Sequence, residues 1–283
     1  MIISVASGKG GTGKTTVAVN LALALGNAQY LDCDVEEPNG HLFLKPVITE
    51  RKTATLSIPE IDESKCTYCG TCGDVCAYSA IAVLKPRNGG KGGIMSFPHL
   101  CHGCGACAYF CPNGAITEID KPIGIIEHGD SGDINFVHGK LNVGEIMVPP
   151  IISQVKEHIK PDVPVIIDAP PGTSCPVIEA IKGSDYCIMV TEPTPFGLND
   201  LQLAVKVIRQ MGIPFGVVMN KEGIGDDKTD EFCRNEGISM LMKIPFSHDI
   251  AVSYSKGEPI ISSMPEYKHE FLSLYDEIRS VLA

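Results

Sequence analysis

The sequence predicts an α/β protein in which a doubly wound, mostly parallel sheet is interrupted by a small α+β module rich in cysteine. Across residues 1–58 and 121–283, short runs that are apolar throughout alternate with stretches of helical apolar spacing. Strands of that kind are buried on both faces, as in a parallel sheet covered by helices. Between 59 and 120 the pattern breaks: eight of the twelve cysteines, many glycines, and Pro86, Pro98 and Pro112 replace any long periodic segment. With 283 residues, 44% of them hydrophobic, the chain can bury a full core.

In chain order, Ile2 to Ala6 reads as a strand, a glycine-rich turn follows, and Thr15 to Leu25 is helical through Val17, Leu21 and Leu25 before Gly26 stops it. Gln29 to Leu31 is a second strand, ending in Asp32-Cys33-Asp34. Residues 123–139 read as a hairpin punctuated by Gly124, Gly129, Gly132 and Gly139. Strands are expected over 163–168, 185–190, 215–219 and 240–244, and helices over 177–181, 200–211 and 229–235. Phe271, Leu274, Ile278 and Leu282 form the apolar stripe of a final helix.

Gly8-Lys9-Gly10-Gly11-Thr12-Gly13-Lys14-Thr15 fits the phosphate-loop pattern G-x-x-x-x-G-K-[ST] and lies between an expected strand and an expected helix. Glycines let backbone N–H groups converge on phosphate oxygens, and the helix amino end adds partial positive charge. Lys14 is the expected ligand of the β- and γ-phosphates, and Thr15 of Mg2+, with Thr16 next along the helix. Because Lys9 supplies a second lysine, the loop resembles the deviant Walker A motif of the superfamily of MinD, ParA, Mrp and the nitrogenase iron protein. The resemblance implies that Lys9 reaches the partner's nucleotide in an ATP-dependent homodimer. Asp34 in Asp32-Cys33-Asp34-Val35-Glu36-Glu37-Pro38-Asn39 resembles the residue of the first switch that orients the attacking water, and it is expected with Thr15 and Asp168 in the Mg2+ site. Asp168 in Asp168-Ala169-Pro170-Pro171-Gly172 resembles the Mg2+ residue of the second switch, with Gly172 beside the γ-phosphate. Asn220-Lys221 resembles the base-contacting segment. Gly223 stands where a guanine-specific relative needs an Asp, which favours adenine, and Pro245 is either a second base-flanking position or a plain turn proline.

Cys66, Cys69, Cys72, Cys76 and Cys101, Cys104, Cys107, Cys111 each follow C-x2-C-x2-C-x3-C, the second run repeating the first at an offset of 35 residues. The spacing resembles that of bacterial two-cluster ferredoxins. It implies one 4Fe-4S cluster on Cys66, Cys69, Cys72 and Cys111 and another on Cys76, Cys101, Cys104 and Cys107. Paired zinc ribbons would leave the middle cysteines and the x3 spacing unexplained. Pro112 follows Cys111 as in the ferredoxin pattern, whereas Ala77 follows Cys76. Cys33, Cys175, Cys187 and Cys233 stand alone; Cys187 reads as a core residue, and a redox or metal role stays open for Cys33 and Cys175. The run Gly89 to Gly93 reads as a flexible link between the two halves.

A net charge of −11 offers no basic footprint for nucleic acid. No apolar run approaches the roughly 18 residues of a membrane span, and Met1 to Ala6 lacks the form of a secretion signal, so a cytoplasmic protein is expected. Residues 266–283 carry Glu266, Glu270, Asp276 and Glu277 against Lys268 and Arg279, a net of −2, unlike a basic membrane-binding tail. Over the whole chain the resemblance is to MinD-superfamily ATPases with an inserted ferredoxin domain. It implies an ATPase that gates electron transfer to a redox partner protein, with ATP, Mg2+ and two 4Fe-4S clusters as cofactors. The other readings are a carrier that delivers clusters to a metallocofactor acceptor, and a positioning ATPase. The insertion falls between the two switches, Asp34 and Asp168.

Overall fold

Burial explains the order of the strands. In the computed structural model, which describes residues 1–87 and 90–283, β1 (Ile2–Ala6) leads through a glycine loop to α1 (Lys14–Leu25) and β2 (Ala28–Asp32). A short α2 (Gly40–Leu44) precedes the long β3 (Val47–Ile61). There follow α3 (Thr71–Asp74), β4 (Ile81–Leu84), β5 (Gly93–Ser96) and α4 (Ala106–Tyr109). β6 (Ile116–Ser131) and β7 (Ile134–Leu141) form a hairpin, and α5 (Pro149–Lys156), β8 (Val165–Asp168), α6 (Cys175–Ile181) and β9 (Tyr186–Thr191) continue the chain. The carboxyl part is α7 (Pro195–Met211), β10 (Phe215–Glu222), α8 (Lys228–Asn235), β11 (Met240–Pro245), α9 (His248–Ser255), α10 (Ile260–Ser263) and α11 (Tyr267–Leu282).

Nine strands make one sheet in the order β11-β10-β9-β1-β8-β2-β7-β6-β3. Every pairing from β11 to β7 is parallel, and β2, β8 and β9 are buried along their whole length. This is the buried parallel sheet that the continuous apolar runs predict. Strand order reverses at β1, whose neighbours β8 and β9 both come later in the chain, and a ligand crevice is expected at the carboxyl ends of strands around such a reversal. α1 is buried almost all round, packing Val17, Ala18 and Leu21 into the core that also takes Phe271, Leu274 and Ile278 of α11. Of the final apolar stripe only Leu282, 37% exposed, stays in solvent. Among the described residues no helix is long and apolar enough to cross a membrane.

Two compact units divide the chain. One comprises Met1–Lys52, Ile126–Lys140 and Ile152–Ala283; the other comprises Thr53–Ile125 with Leu141–Ile151, so it also takes residues beyond 59–120. In the second unit β4 and β5 form a separate antiparallel pair. α3 and α4 start from the left-handed glycines Gly70 and Gly105, which stand at equivalent places in the two halves of the repeat. Beside the cysteine loops a small core cluster holds Cys72, Ile81 and Ile116, with Ile61, Val83 and Ile94 partly buried against it.

Several boundaries differ from expectation. α7 begins at Pro195 rather than Asp200, because the Thr194 side chain caps it by accepting from the Gly197 N–H. Gly197 hides the helical pattern, and it is required there: a Cβ would lie 2.3 Å from the Glu192 carbonyl oxygen. β3 went unread because its first seven residues are exposed and carry no alternation. The hairpin is longer at both ends than 123–139, since Ile116 to Asp120 carries mostly exposed residues. Within the run read as a flexible link, Gly89 lies outside the described residues, Gly93 opens β5, and the ring of Tyr68 lies 2.4 Å from where a Cβ on Gly92 would stand.

In the larger unit, β3, β6 and β7 are tied by one buried carboxylate. Glu127, 3% exposed, accepts from Arg51 Nε at 2.8 Å, Lys140 Nζ at 3.0 Å and the His138 ring at 2.7 Å. Burial opposes the charge on Glu127, but the three donors hold its pKa at about 2. Burial likewise keeps His138 neutral down to about 4, against the pull of Glu127. Both groups therefore bind fewer protons folded than unfolded, so stability is full above about pH 6.5, falls toward about pH 4 as unfolded His138 gains its proton, and falls further toward about pH 2 through Glu127. Denaturant unfolding across this range is expected to show a loss of about 3 kcal/mol from the histidine alone. His138→Gln is expected to flatten the upper part of that slope.

Candidate functional site

The glycine loop occupies the crevice at β1. Gly11 and Gly13 have φ of +77° and +97°, a region glycine enters without strain. Close approach also demands glycine here: a Cβ on Gly13 would stand 2.2 Å from Asn220 Nδ2, and one on Gly8 2.3 Å from the Asp200 carbonyl oxygen. Gly10 meets nothing within 4 Å. Lys14 and Thr15, at the first turn of α1, are buried to 6% and 7% exposure, and the Thr12 hydroxyl is buried without a partner. The loop thus places a buried lysine at a helix amino end, a position suited to an anion.

Carboxylates face it from the ends of β2 and β8. Asp168 is fully buried; its Oδ2 accepts from the Tyr30 hydroxyl at 3.0 Å, and its Oδ1 has no hydrogen-bond partner. Burial raises the Asp168 pKa, opposed by the Lys14 charge and by the neighbouring Thr15 and Tyr30 hydroxyls. Burial also lifts Asp34 to about 6, opposed by Lys14 and reinforced by Asp168, Glu37 and Glu36. An orphaned buried oxygen beside a hydroxyl and a second carboxylate is an all-oxygen donor set that fits Mg2+. The Gly172 N–H donates to the Ser7 carbonyl at 2.9 Å, which holds the segment after β8 against the glycine loop.

Lys9 does not project freely. Its Nζ lies 2.5 Å from Glu192 Oε1, while Lys221 Nζ lies 2.9 Å from Oε2 and donates to the Gly11 carbonyl at 3.0 Å. Burial works against a charged Glu192, but hydrogen bonds from Lys9 and Lys221 bring its pKa below the ordinary value. Asn220 Nδ2 donates to the Thr12 carbonyl at 2.8 Å, so this side chain braces the loop. Sequence reading missed Glu192. The available signal was its place just beyond β9, at the carboxyl end of a strand next to β1, where crevice residues are expected.

A cavity of about 360 Å³ opens beside the loop, lined by Gly11, Gly13, Thr16, Asn220 and Pro245 together with Phe246, Ile250 and Tyr254. Such a volume suits a small ligand. Pro245 faces this cavity. α9, which supplies Ile250 and Tyr254, was not anticipated.

In the smaller unit the cysteines gather in two sets. Cys66, Cys69, Cys72 and Cys111 line one cavity; Cys76, Cys101, Cys104 and Cys107 line another. The fourth cysteine of each run therefore lies with the first three of the other run. Backbone N–H groups point at sulfur in matching places: Tyr68 and Gly103 donate to Cys66 and Cys101 at 3.4 Å, Ala80 and Ala115 to Cys76 and Cys111 at 3.2 Å. Among the described residues no three His, Cys, Asp or Glu side chains could hold a single metal ion. Four thiols spread around a cavity, with N–H donors to sulfur, instead fit a cubane whose irons each take one thiolate. Of the remaining cysteines, Cys33, Cys187 and Cys233 are buried and Cys175, the first residue of α6, is exposed.

Comparison with known proteins bears on the nucleotide-binding fold. An uncharacterised protein of Methanocaldococcus jannaschii is 33% identical over 273 residues, covering 92% of this chain and 91% of that protein. A protein of Aquifex aeolicus named iron-sulfur cluster carrier protein is 26% identical over 302 residues, covering 99% of this chain and 68% of its own length. The solved structure of the septum site-determining protein MinD with Mg-ADP from Pyrococcus horikoshii superposes with a TM-score of 0.59 at 22% identity, covering 100% of this chain and 98% of that one. The family described as CobQ/CobB/MinD/ParA nucleotide binding domain matches residues 3–260. With the glycine loop seated at the strand-order reversal and the match spanning most of the chain, the protein belongs to the CobQ/CobB/MinD/ParA family of nucleotide-binding domains.

Proposed function

We propose that the chain binds and hydrolyses MgATP as a homodimer, and that its nucleotide state governs electron transfer through two 4Fe-4S clusters. One observation carries the reading: two complete cysteine quartets, each with its fourth member taken from the other run, occur in one chain with a phosphate loop. Cys66, Cys69, Cys72 and Cys111 would hold one cluster; Cys76, Cys101, Cys104 and Cys107 the other. When bound, each cluster supplies a one-electron centre. Lys14 and the backbone of Gly8 to Thr16 hold the phosphates, Thr15 and Asp168 hold Mg2+, and Asp34 orients the attacking water. Asn220 and Pro245 flank the base, and Gly172 reads the γ-phosphate. Lys9 exchanges Glu192 for the partner's nucleotide. The test is anaerobic protein with about eight irons per chain, reduced and followed by EPR and potentiometry with MgATP and with MgADP. Cluster potential, or the rate of electron delivery to an artificial acceptor, is expected to differ between the two states; equal values would sink the gating.

The names of relatives such as the Aquifex aeolicus protein favour a second reading, in which clusters are cargo handed to an acceptor. Complete ligand sets argue against it, since a fully ligated cubane is hard to release. Transfer of labelled iron and sulfide to an apo-acceptor during ATP turnover would establish the carrier role; clusters that survive many turnovers would exclude it.

A further inference from the structure

We propose that Tyr254 is a positioning residue through which occupation of the base cavity sets the hydrolytic loop, acting by way of Phe43. This deepens the ATPase reading above and rests on it. Tyr254 lines the large cavity beside the glycine loop, and it also lines a second, smaller one bordered by Asn20, Phe43 and Pro259. Tyr254 thus stands between the larger cavity and Phe43. Tyr254 is half exposed, at 48%, and its ring centroid lies 5.1 Å from that of Phe43, whose own exposure is 9%.

From Phe43 the connection is stiff. α2 is only five residues long and its two ends are held. At one end the Gly40 N–H donates to Asp32 Oδ2 at 2.9 Å, while the Asp34 N–H reaches the other oxygen of the same buried carboxylate at 3.2 Å. Gly40 also packs so tightly on Tyr30 that a Cβ there would lie 2.5 Å from the hydroxyl oxygen, and that hydroxyl donates to Asp168. At the other end the Ser131 hydroxyl donates to the Leu44 carbonyl, and midway along α2 the Leu42 carbonyl oxygen lies 3.0 Å from where a Cβ on Gly257, in the turn after α9, would stand. A base that fills the large cavity presses Tyr254 toward Phe43, and α2 cannot yield without moving Asp32. Asp32 in turn carries the backbone of Asp34. The device discriminates a complete adenine nucleotide from its triphosphate part at the hydrolytic step, in addition to any difference in binding.

The experiment compares kcat and KM for ATP and for inorganic tripolyphosphate in the full-length protein and in Phe43→Leu, which keeps apolar volume but lacks the ring. Thermal unfolding and calorimetric MgADP binding are measured on both. The wild type is expected to turn ATP over at least about tenfold faster than tripolyphosphate at saturation. Phe43→Leu is expected to bring the ATP kcat down to the tripolyphosphate value, leaving the ATP KM, MgADP affinity and tripolyphosphate turnover within about threefold of wild type. Tyr254→Ala is expected to lose the same kcat advantage and to raise KM as well. If Phe43→Leu keeps the wild-type ratio, or changes KM alone, the relay is overturned and the ATPase reading stands. A wild type that binds MgADP yet hydrolyses neither compound overturns both.

Discussion

Lys9→Ala is expected to lower kcat for ATP by about 10³-fold or more while MgADP affinity stays within severalfold, because a cation delivered to the transition state contributes on that scale. The reason for assigning the effect to a partner is geometric. Within one chain Lys9 is paired with Glu192, which Lys221 also holds, so the lysine lies against the end of β9. A mixing test isolates the dimer. Asp34→Asn removes the group proposed to orient water and is expected to be equally inactive. If Lys9 acts across an interface, an equimolar mixture of the two inactive variants forms some dimers with one complete site, made of Asp34 from the Lys9→Ala protomer and Lys9 from the other. Activity then returns to about a quarter of wild type, since about half the dimers are mixed and one of their two sites is whole. A mixture that stays inactive, from variants shown to exchange subunits, would place Lys9 on its own chain's nucleotide.

How far the sequence reveals this arrangement depends on what fixes each part locally. Continuous apolar runs identify the buried strands β1, β2, β8 and β9, because a strand covered on both faces has no polar side to confuse the pattern. The glycine loop is legible for a related reason: Gly13 and Gly8 are demanded by backbone and by Asn220 at contact distance. The paired cysteine runs are legible because ligand spacing is a local property. Glu192 and the Glu127 cluster are not. Glu192 is one acidic residue in a strand-end turn, and its importance arises only when residues 9 and 221 arrive at the same place. Glu127 gathers donors from 51, 138 and 140, whose pairing is set by β3, β6 and β7. α9 escapes notice because His248 to Ser255 has a weak apolar face, having to line a ligand cavity on one side with Ile250 and Tyr254.

The cysteine sets lead to the other large effect, and two double variants decide it. Cys66→Ala with Cys111→Ala is expected to leave about half of the iron and sulfide, whereas Cys66→Ala with Cys76→Ala is expected to leave almost none. In the observed grouping Cys66 and Cys111 line the same cavity, so the first pair damages one site and leaves Cys76, Cys101, Cys104 and Cys107 complete. Cys66 and Cys76 line different cavities although they are ten residues apart in sequence, so the second pair damages both. Were each run to close its own cluster, the two outcomes would be exchanged. EPR of the reduced protein adds an independent reading: the first variant is expected to show one magnetically isolated centre, and the wild type two that interact. Limited proteolysis completes the argument. The core cluster beside the cysteine loops is small, with Cys72, Ile81 and Ile116 buried and Ile61, Val83 and Ile94 partly buried against them, and a core of that size orders loops poorly unaided. The second variant is therefore expected to be cut within 66–111 while the parallel sheet and its glycine loop stay intact, and the first to resist much longer.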